Sequence, residues 1–133
     1  MRNYMLLFRP YLQKGYSLTL LTKTDDEILR ILNPIMDNLM DASTHIDYEN
    51  FITDFSQRMK SLTTEESLNE ICNEYQSKKG FFTTREFVSL FRREDSIAII
   101  WKQNFSKVKG DFVAEAVFIE ENGRVVVDHA FVF

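Results

Sequence analysis

His129 is the side chain of this 133-residue sequence best suited to acid-base chemistry, because it falls inside an apolar segment. An imidazole in an apolar pocket can act as a general base or hold a ligand by a hydrogen bond. The aromatic residues predicted to line the same pocket are Trp101, Phe112 and Phe131. The alternative is a core histidine whose ring nitrogens are satisfied by backbone or helix groups.

Carboxylates are missing from the predicted surface around His129. Asp128 is its neighbour in sequence, but strand alternation points the two side chains to opposite faces, so no Asp128–His129 dyad is expected. No Asp or Glu of the last three predicted strands falls on the His129 face. This absence is the main sequence argument against an enzyme, although a helix could still supply a carboxylate.

The other chemistry-bearing residues favour structural roles. No ligand spacing connects His45 with His129, so no metal site is expected. Cys72 lies on an apolar helix stripe, where a buried, unreactive thiol is expected. It is the single cysteine, so no intramolecular disulfide can form. The sequence has no glycine-rich phosphate loop, and no cofactor is expected.

Three predicted strands position these side chains. Asn122-Gly123 separates two apolar segments and strongly predicts a hairpin, because both central residues of a type I′ turn need positive φ. The resulting register pairs Ala116 with His129. The bounds of these three strands are residues 96–105, 112–120 and 125–133, and a further strand, the first of the sheet, is predicted at residues 83–90.

The predicted sheet has two unlike faces. The face that holds His129 is aromatic, without carboxylate or lysine, and is assigned to the core. The opposite face is aliphatic, and Lys102 is predicted opposite Glu115 there, a pair worth roughly 0.2–1 kcal/mol. Apolar surfaces of this extent tend to mark interfaces. The predicted interface residues are Ile100, Lys102, Glu115, Val117, Ile119, Val126, Asp128 and Val132.

Helix signals precede the strands. Thr24 begins a capping-box pattern, Thr-Asp-Asp-Glu, and Pro34 predicts either a kink in that helix or the cap of a second one. Asp47 is predicted to cap the next helix, whose apolar stripe covers residues 48–59. A further capping box begins a helix that ends at Gly80.

This order of elements predicts an α+β fold, in which N-terminal helices pack on a four-stranded antiparallel sheet. Residues 24–133 form the predicted single domain, with helices in 24–79 and the sheet in 81–133. Residues 1–23 are an N-terminal arm whose structure the sequence leaves open.

Charge and hydropathy limit the expected partners and location. The net charge of −4 argues against general nucleic-acid binding and suits a basic partner. No segment approaches the roughly 18 apolar residues of a membrane span, and no signal-peptide pattern is present. We therefore expect a cytoplasmic protein without a membrane partner.

Four segments also carry a resemblance through their apolar spacing and turns: residues 47–59, 80–87, 97–105 and 123–133. Together they resemble a bacterial domain of unknown function in the cystatin-like and nuclear-transport-factor-2-like superfold. The resemblance implies a curved sheet wrapped around helices as a cone. Members of this superfold include isomerases with pocket carboxylates of tuned pKa, ligand carriers and non-catalytic interaction domains.

Two functions follow as predictions. The first is a non-enzymatic binding domain that contacts a protein through the aliphatic face. That partner is a second copy, giving a homodimer, or a basic toxin that an immunity-type protein neutralises. The second is a pocket protein, either an isomerase-like enzyme or a carrier, that holds a small apolar ligand near His129. Replacing His129 by alanine separates them, because only the second predicts a loss of ligand.

Overall fold

The computed structural model describes residues 19–133, so most of the predicted N-terminal arm lies outside the described residues. A short 3-10 helix, Thr19–Thr22, comes first and is followed by helices and then strands. The helices are α1 (Asp25–His45), α2 (Tyr48–Phe51), α3 (Gln57–Leu62) and α4 (Glu65–Lys79). The strands are β1 (Phe82–Arg93), β2 (Ser96–Phe105), β3 (Phe112–Glu121) and β4 (Arg124–Val132). This order confirms the predicted α+β fold.

The ends of the helices follow local sequence signals. The Glu27 amide donates to Thr24 Oγ1 (3.2 Å), and the Thr24 amide donates to Glu27 Oε1 (2.9 Å), which confirms the capping box of α1. The helix continues through Pro34, so the alternative of a second helix starting there is wrong. Asp47 caps α2, and Gly80 ends α4 with a φ of 84°, as predicted.

Residues 48–59, expected as one helix, are divided by an extended passage at Phe55 that pairs with β4 in parallel. The Ser56 amide donates to the Val127 carbonyl (2.8 Å), and the Val127 amide donates to the Asp54 carbonyl (2.7 Å). These bonds satisfy backbone groups at the edge of the sheet that a continuous helix would leave without partners. The chain between α2 and α3 is therefore fixed to β4.

The strands form one antiparallel sheet in the order β1-β2-β3-β4. The predicted bounds of β2 agree with the structure, and β1 extends beyond the predicted residues 83–90 at both ends. Asn122 and Gly123 have φ values of 53° and 76°, which confirms the predicted type I′ hairpin turn.

The hydrophobic core lies between α1 and one face of the sheet, which we call the inner face; the opposite face is the outer face. The core assignment is confirmed for β2 and β3, whose alternate residues are buried. The buried residues of this core include Ile28, Leu32, Met36, Leu39 and Met40 of α1 and Ile97, Ile99, Trp101, Ala114, Ala116, Phe118 and Val127 of the sheet.

Candidate functional site

A β-bulge in β4 moves His129 away from its predicted position. Phe118 lies opposite Val127 as predicted, but Val117 then pairs with His129, which leaves Asp128 as the extra residue. Because side chains alternate along a strand, every residue after the bulge changes face. His129 is therefore on the outer face, which corrects its predicted place in an aromatic pocket.

His129 contacts a carboxylate on the outer face. Its Nε2 atom lies 2.7 Å from Glu115 Oε2, and the two side chains are 17% and 22% exposed. This contact satisfies one ring nitrogen. The partner is a carboxylate of the sheet, so the predicted core histidine bonded to backbone or helix groups is also wrong in its position and its partner.

The predicted pairing of Lys102 with Glu115 is wrong by two residues. The structure places Lys102 opposite Val113 and Ile100 opposite Glu115, which keeps every side chain on its predicted face. The Lys102 ammonium instead lies 3.7 Å from a carboxylate oxygen of Glu86 on β1. The six-residue loop before β3 does not fix the register as tightly as a two-residue turn does.

Asp128 is buried, which corrects its prediction as an interface residue. Its Oδ1 atom accepts hydrogen bonds from Ser56 Oγ (2.8 Å) and Arg58 Nε (3.2 Å). The Arg58 guanidinium also donates to the Asp128 backbone carbonyl. The bulge thus turns this carboxylate towards α3 and ties that helix to the sheet.

The remaining interface candidates differ in accessibility. Ile119 and Val126 lie opposite each other and are buried, at 6% and 3% exposure. Val132 follows the bulge and packs against the core, which corrects its outer-face assignment. The candidates that keep at least partial exposure on the outer face are Ile100, Lys102, Glu115 and Val117.

A cavity of about 410 Å³ lies between the helices and the inner face of the sheet. Its volume is within the range of about 300–1,000 Å³ typical of small-molecule sites. Leu62 and Ile71 line it and are themselves exposed, so the cavity reaches the surface there. Its apolar lining comprises Met36, Leu39, Met40, Phe51, Phe55, Met59, Leu62, Leu68, Ile71, Phe82, Phe105, Ala130, Phe131 and Val132.

A small polar cluster from α1 and α4 forms part of the wall. Ser43 Oγ lies 2.8 Å from the Tyr75 hydroxyl and 3.4 Å from Cys72 Sγ. Burial raises the pKa of the Cys72 thiol above its ordinary value, and the hydrogen bond with Ser43 offsets part of this effect. Burial also raises the pKa of the Tyr75 phenol. Both groups are therefore neutral at physiological pH.

These shifts predict that stability falls as pH rises above about 8. In the unfolded chain, Cys72 and Tyr75 ionise near their ordinary values of about 8.5 and 10, whereas the folded chain retains both protons to higher pH. The unfolded state then binds fewer protons, so the free energy of unfolding decreases with pH. Urea unfolding between pH 7 and 10 measures this loss. Cys72→Ala should make the decrease shallower, and an unchanged slope would contradict the assignment.

Lys79 is the cationic residue among the described residues that line the cavity. Its Nζ atom lies 5.5 Å from the centre of the Phe105 ring and 4.9 Å from that of Phe112. The residues that line the cavity, as far as the structure describes them, include neither carboxylate nor histidine. The ionisable groups there are Lys79, Cys72 and Tyr75.

The structure distributes the four predicted pocket residues differently. Phe131 pairs with Glu115, a residue of the outer face, but it lies on the edge strand β4 and its side chain lines the cavity. Phe112 contacts Lys79 beside the cavity, and Trp101 is buried with the Arg85 guanidinium 5.3 Å from its ring. His129 is not part of the site.

Sequence reasoning missed the polar residues that the helices contribute. Cys72 and Tyr75 are three positions apart on the apolar stripe of α4. Two side chains with polar atoms within an otherwise apolar stripe are the signal that could have identified them. Lys79 and Lys78 both fit a helix C-terminus. Only the fold distinguishes them, because α4 turns Lys79 to the cavity.

Other kinds of site find no support within residues 19–133. No three His, Cys, Asp or Glu side chains of this part of the chain converge closely enough to hold a metal ion. None of its helices has the length and hydropathy needed to cross a membrane.

Structural comparison identifies the architecture. A variant of the designed protein Rd1NTF2_05 superposes with a TM-score of 0.57 at 12% identity, covering 81% of this chain and all of the designed one. The fold is nuclear-transport-factor-2-like. Bd1075 of Bdellovibrio bacteriovorus matches with a TM-score of 0.53 at 12% identity, over 81% of this chain and 42% of its own. RPA3114 of Rhodopseudomonas palustris, a protein containing a SEC-C motif, matches at 0.52 and 10%, over 78% and 90%. No family model and no curated protein matches the sequence.

Proposed function

We propose that this protein binds a small, largely apolar molecule in the cavity between its helices and the inner face of the sheet. The observation that carries the proposal is the cavity itself, about 410 Å³ with a predominantly apolar lining. The cavity opens to solvent beside Leu62 and Ile71, so part of its apolar lining contacts water, which is unfavourable. A bound apolar molecule would remove that surface from water, and the opening offers an entrance.

The chemistry of the lining favours a carrier or receptor over an isomerase-like enzyme. Acid-base catalysis needs a group that exchanges a proton near neutral pH. Cys72 and Tyr75 have raised pKa values, and their polar atoms already bond with Ser43. The nuclear-transport-factor-2-like fold supports the proposal only in part, because proteins of that superfold include both carriers and enzymes.

Titration with octan-1-ol tests the proposal, because this probe is apolar and has a single neutral polar group. Calorimetry should show saturable binding at one site, and amide chemical shifts should change for residues such as Met40, Leu68 and Val132, which line the cavity. Ile100 and Val117 on the outer face serve as internal controls. Absence of saturable binding, or shifts centred on these outer-face residues, would overturn the proposal.

A second candidate function is protein contact through the outer face, favoured by an exposed aromatic residue. Phe91 lies on that face and is 47% exposed. The partner would be a second copy or, in an immunity-type role in the cytoplasm, a basic protein. Light scattering at two concentrations tests the homodimer. The wild type should have twice the 15.7 kDa mass of the chain, and Phe91→Lys should lower the measured mass. A monomer at both concentrations would exclude it.

A further inference from the structure

We infer that the cavity selects molecules in which a carboxylate, or a similar anionic group, is joined to an apolar body, with Lys79 as the anchor for the anion. The inference rests on the proposed function and specifies the ligand class. It depends on three observations about Lys79: its charge, the polar groups around it and the way its backbone is held.

Within the described part of the chain, the charge of Lys79 has no acidic counterpart nearby. Among residues 19–133, no carboxylate oxygen lies within 4.0 Å of its ammonium group, and the rings of Phe105 and Phe112 flank it instead. Aromatic faces attract a cation without neutralising its charge. The adjacent Lys78, by contrast, points away from the cavity and pairs with Glu74 Oε1 at 3.1 Å. Lys79 therefore retains a positive charge that a ligand can use.

The other polar side chains of the lining are already hydrogen-bonded within the protein. Thr63 Oγ1 donates to the Met59 carbonyl (2.8 Å), and Ser67 Oγ donates to the Thr64 carbonyl (2.9 Å). Ser43 Oγ likewise forms hydrogen bonds with Cys72 Sγ and the Tyr75 hydroxyl. Among the described residues of the lining, a ligand thus meets satisfied polar groups and apolar side chains except at Lys79. This arrangement fits one anionic group on an apolar body.

Backbone contacts hold Lys79 in place at the end of α4. The Lys107 amide donates to the Lys79 carbonyl (2.9 Å), and the Gly80 amide donates to the Gln76 carbonyl (3.0 Å). Gly80 has a positive φ, and an added Cβ atom would lie 2.2 Å from Ser106 Oγ, so this close approach requires glycine. These contacts fix the backbone of Lys79, so only its side-chain torsions remain to be ordered when it binds an anion.

The test compares octanoate with octan-1-ol, two probes with the same number of carbons but different head groups. Calorimetry on the wild type and Lys79→Met should show octanoate affinity reduced about ten-fold or more, since hydrogen bonds to charged groups are the stronger class. Octan-1-ol affinity should stay within about two-fold. Lys79→Arg should keep most of the octanoate affinity, because it preserves the charge.

Lys78→Met is the matched control, since it removes the neighbouring charge without touching the cavity lining, and it should leave octanoate binding unchanged. Equal losses of octanoate affinity for Lys78→Met and Lys79→Met, or no loss in either, would overturn the inference. The proposed function would still stand in that case if the wild type binds octan-1-ol. Failure of the wild type to bind either probe would overturn both. Thermal unfolding of each variant verifies that it is folded.

Discussion

Replacement of Asp128 by alanine is expected to lower the free energy of unfolding by about 3 kcal/mol, because it removes the buried carboxylate that accepts from Ser56 and Arg58. Ser56 is fully buried, and its hydroxyl proton would lose its acceptor, while Arg58 would lose its carboxylate partner. The Arg58 side chain is 31% exposed, so water compensates for part of its loss. Urea denaturation of the variant and the wild type measures the difference.

Glu86→Ala is a suitable control for this measurement. Glu86 and Lys102 form an exposed pair at 3.7 Å, with side chains 67% and 44% exposed. Exposed pairs of this kind contribute about 0–1 kcal/mol, so the control should change stability little. An Asp128→Ala variant as stable as the control would show that the link between α3 and the bulge contributes nothing.

Replacement of Ala130 by phenylalanine is expected to weaken octan-1-ol binding by roughly ten- to hundred-fold. Ala130 lies on the inner face opposite Ala116, packs against the core and lines the cavity. A phenyl ring at this position would occupy the space that the probe needs, and forcing both into it costs about 1–3 kcal/mol. The available space should let the variant fold, which thermal unfolding verifies before calorimetric titration.

Ala98→Phe provides the matched control on the opposite side of the sheet. Ala98 is half-buried, pairs with Val117 and belongs to the outer face, away from the cavity. The same gain in volume there should leave octan-1-ol affinity within about two-fold of the wild type. If Ala130→Phe binds the probe as well as Ala98→Phe does, the probe does not occupy the cavity.

The corrected position of His129 changes what its mutation reports. His129 lies on the outer face beside Glu115 and does not line the cavity. His129→Ala therefore no longer separates a pocket protein from an interaction domain. Residues at the cavity, Lys79 and Ala130, take over that role.

The parts of the fold that depend on neighbouring residues were predictable from sequence. Thr24 and Glu27 form a capping box within one turn, and Asn122-Gly123 forms a turn whose backbone angles those two residues favour. Apolar alternation likewise identified the inner face of β2 and β3. Each signal acts over a few residues, so no knowledge of distant contacts was needed.

The candidate site was decided by contacts between distant parts of the chain. Asp128 bonds with Ser56, 72 residues earlier, and the bulge that accommodates this bond moves His129 to the outer face. The cavity depends on how far α1 and α4 stand from the sheet, which packing sets and no local pattern encodes. By itself the sequence determined α1, α4, the four strands and most of their ends, but not the division between α2 and α3. Only the tertiary structure decided which face His129 occupies and that Lys79, rather than His129, is the charged group at the cavity.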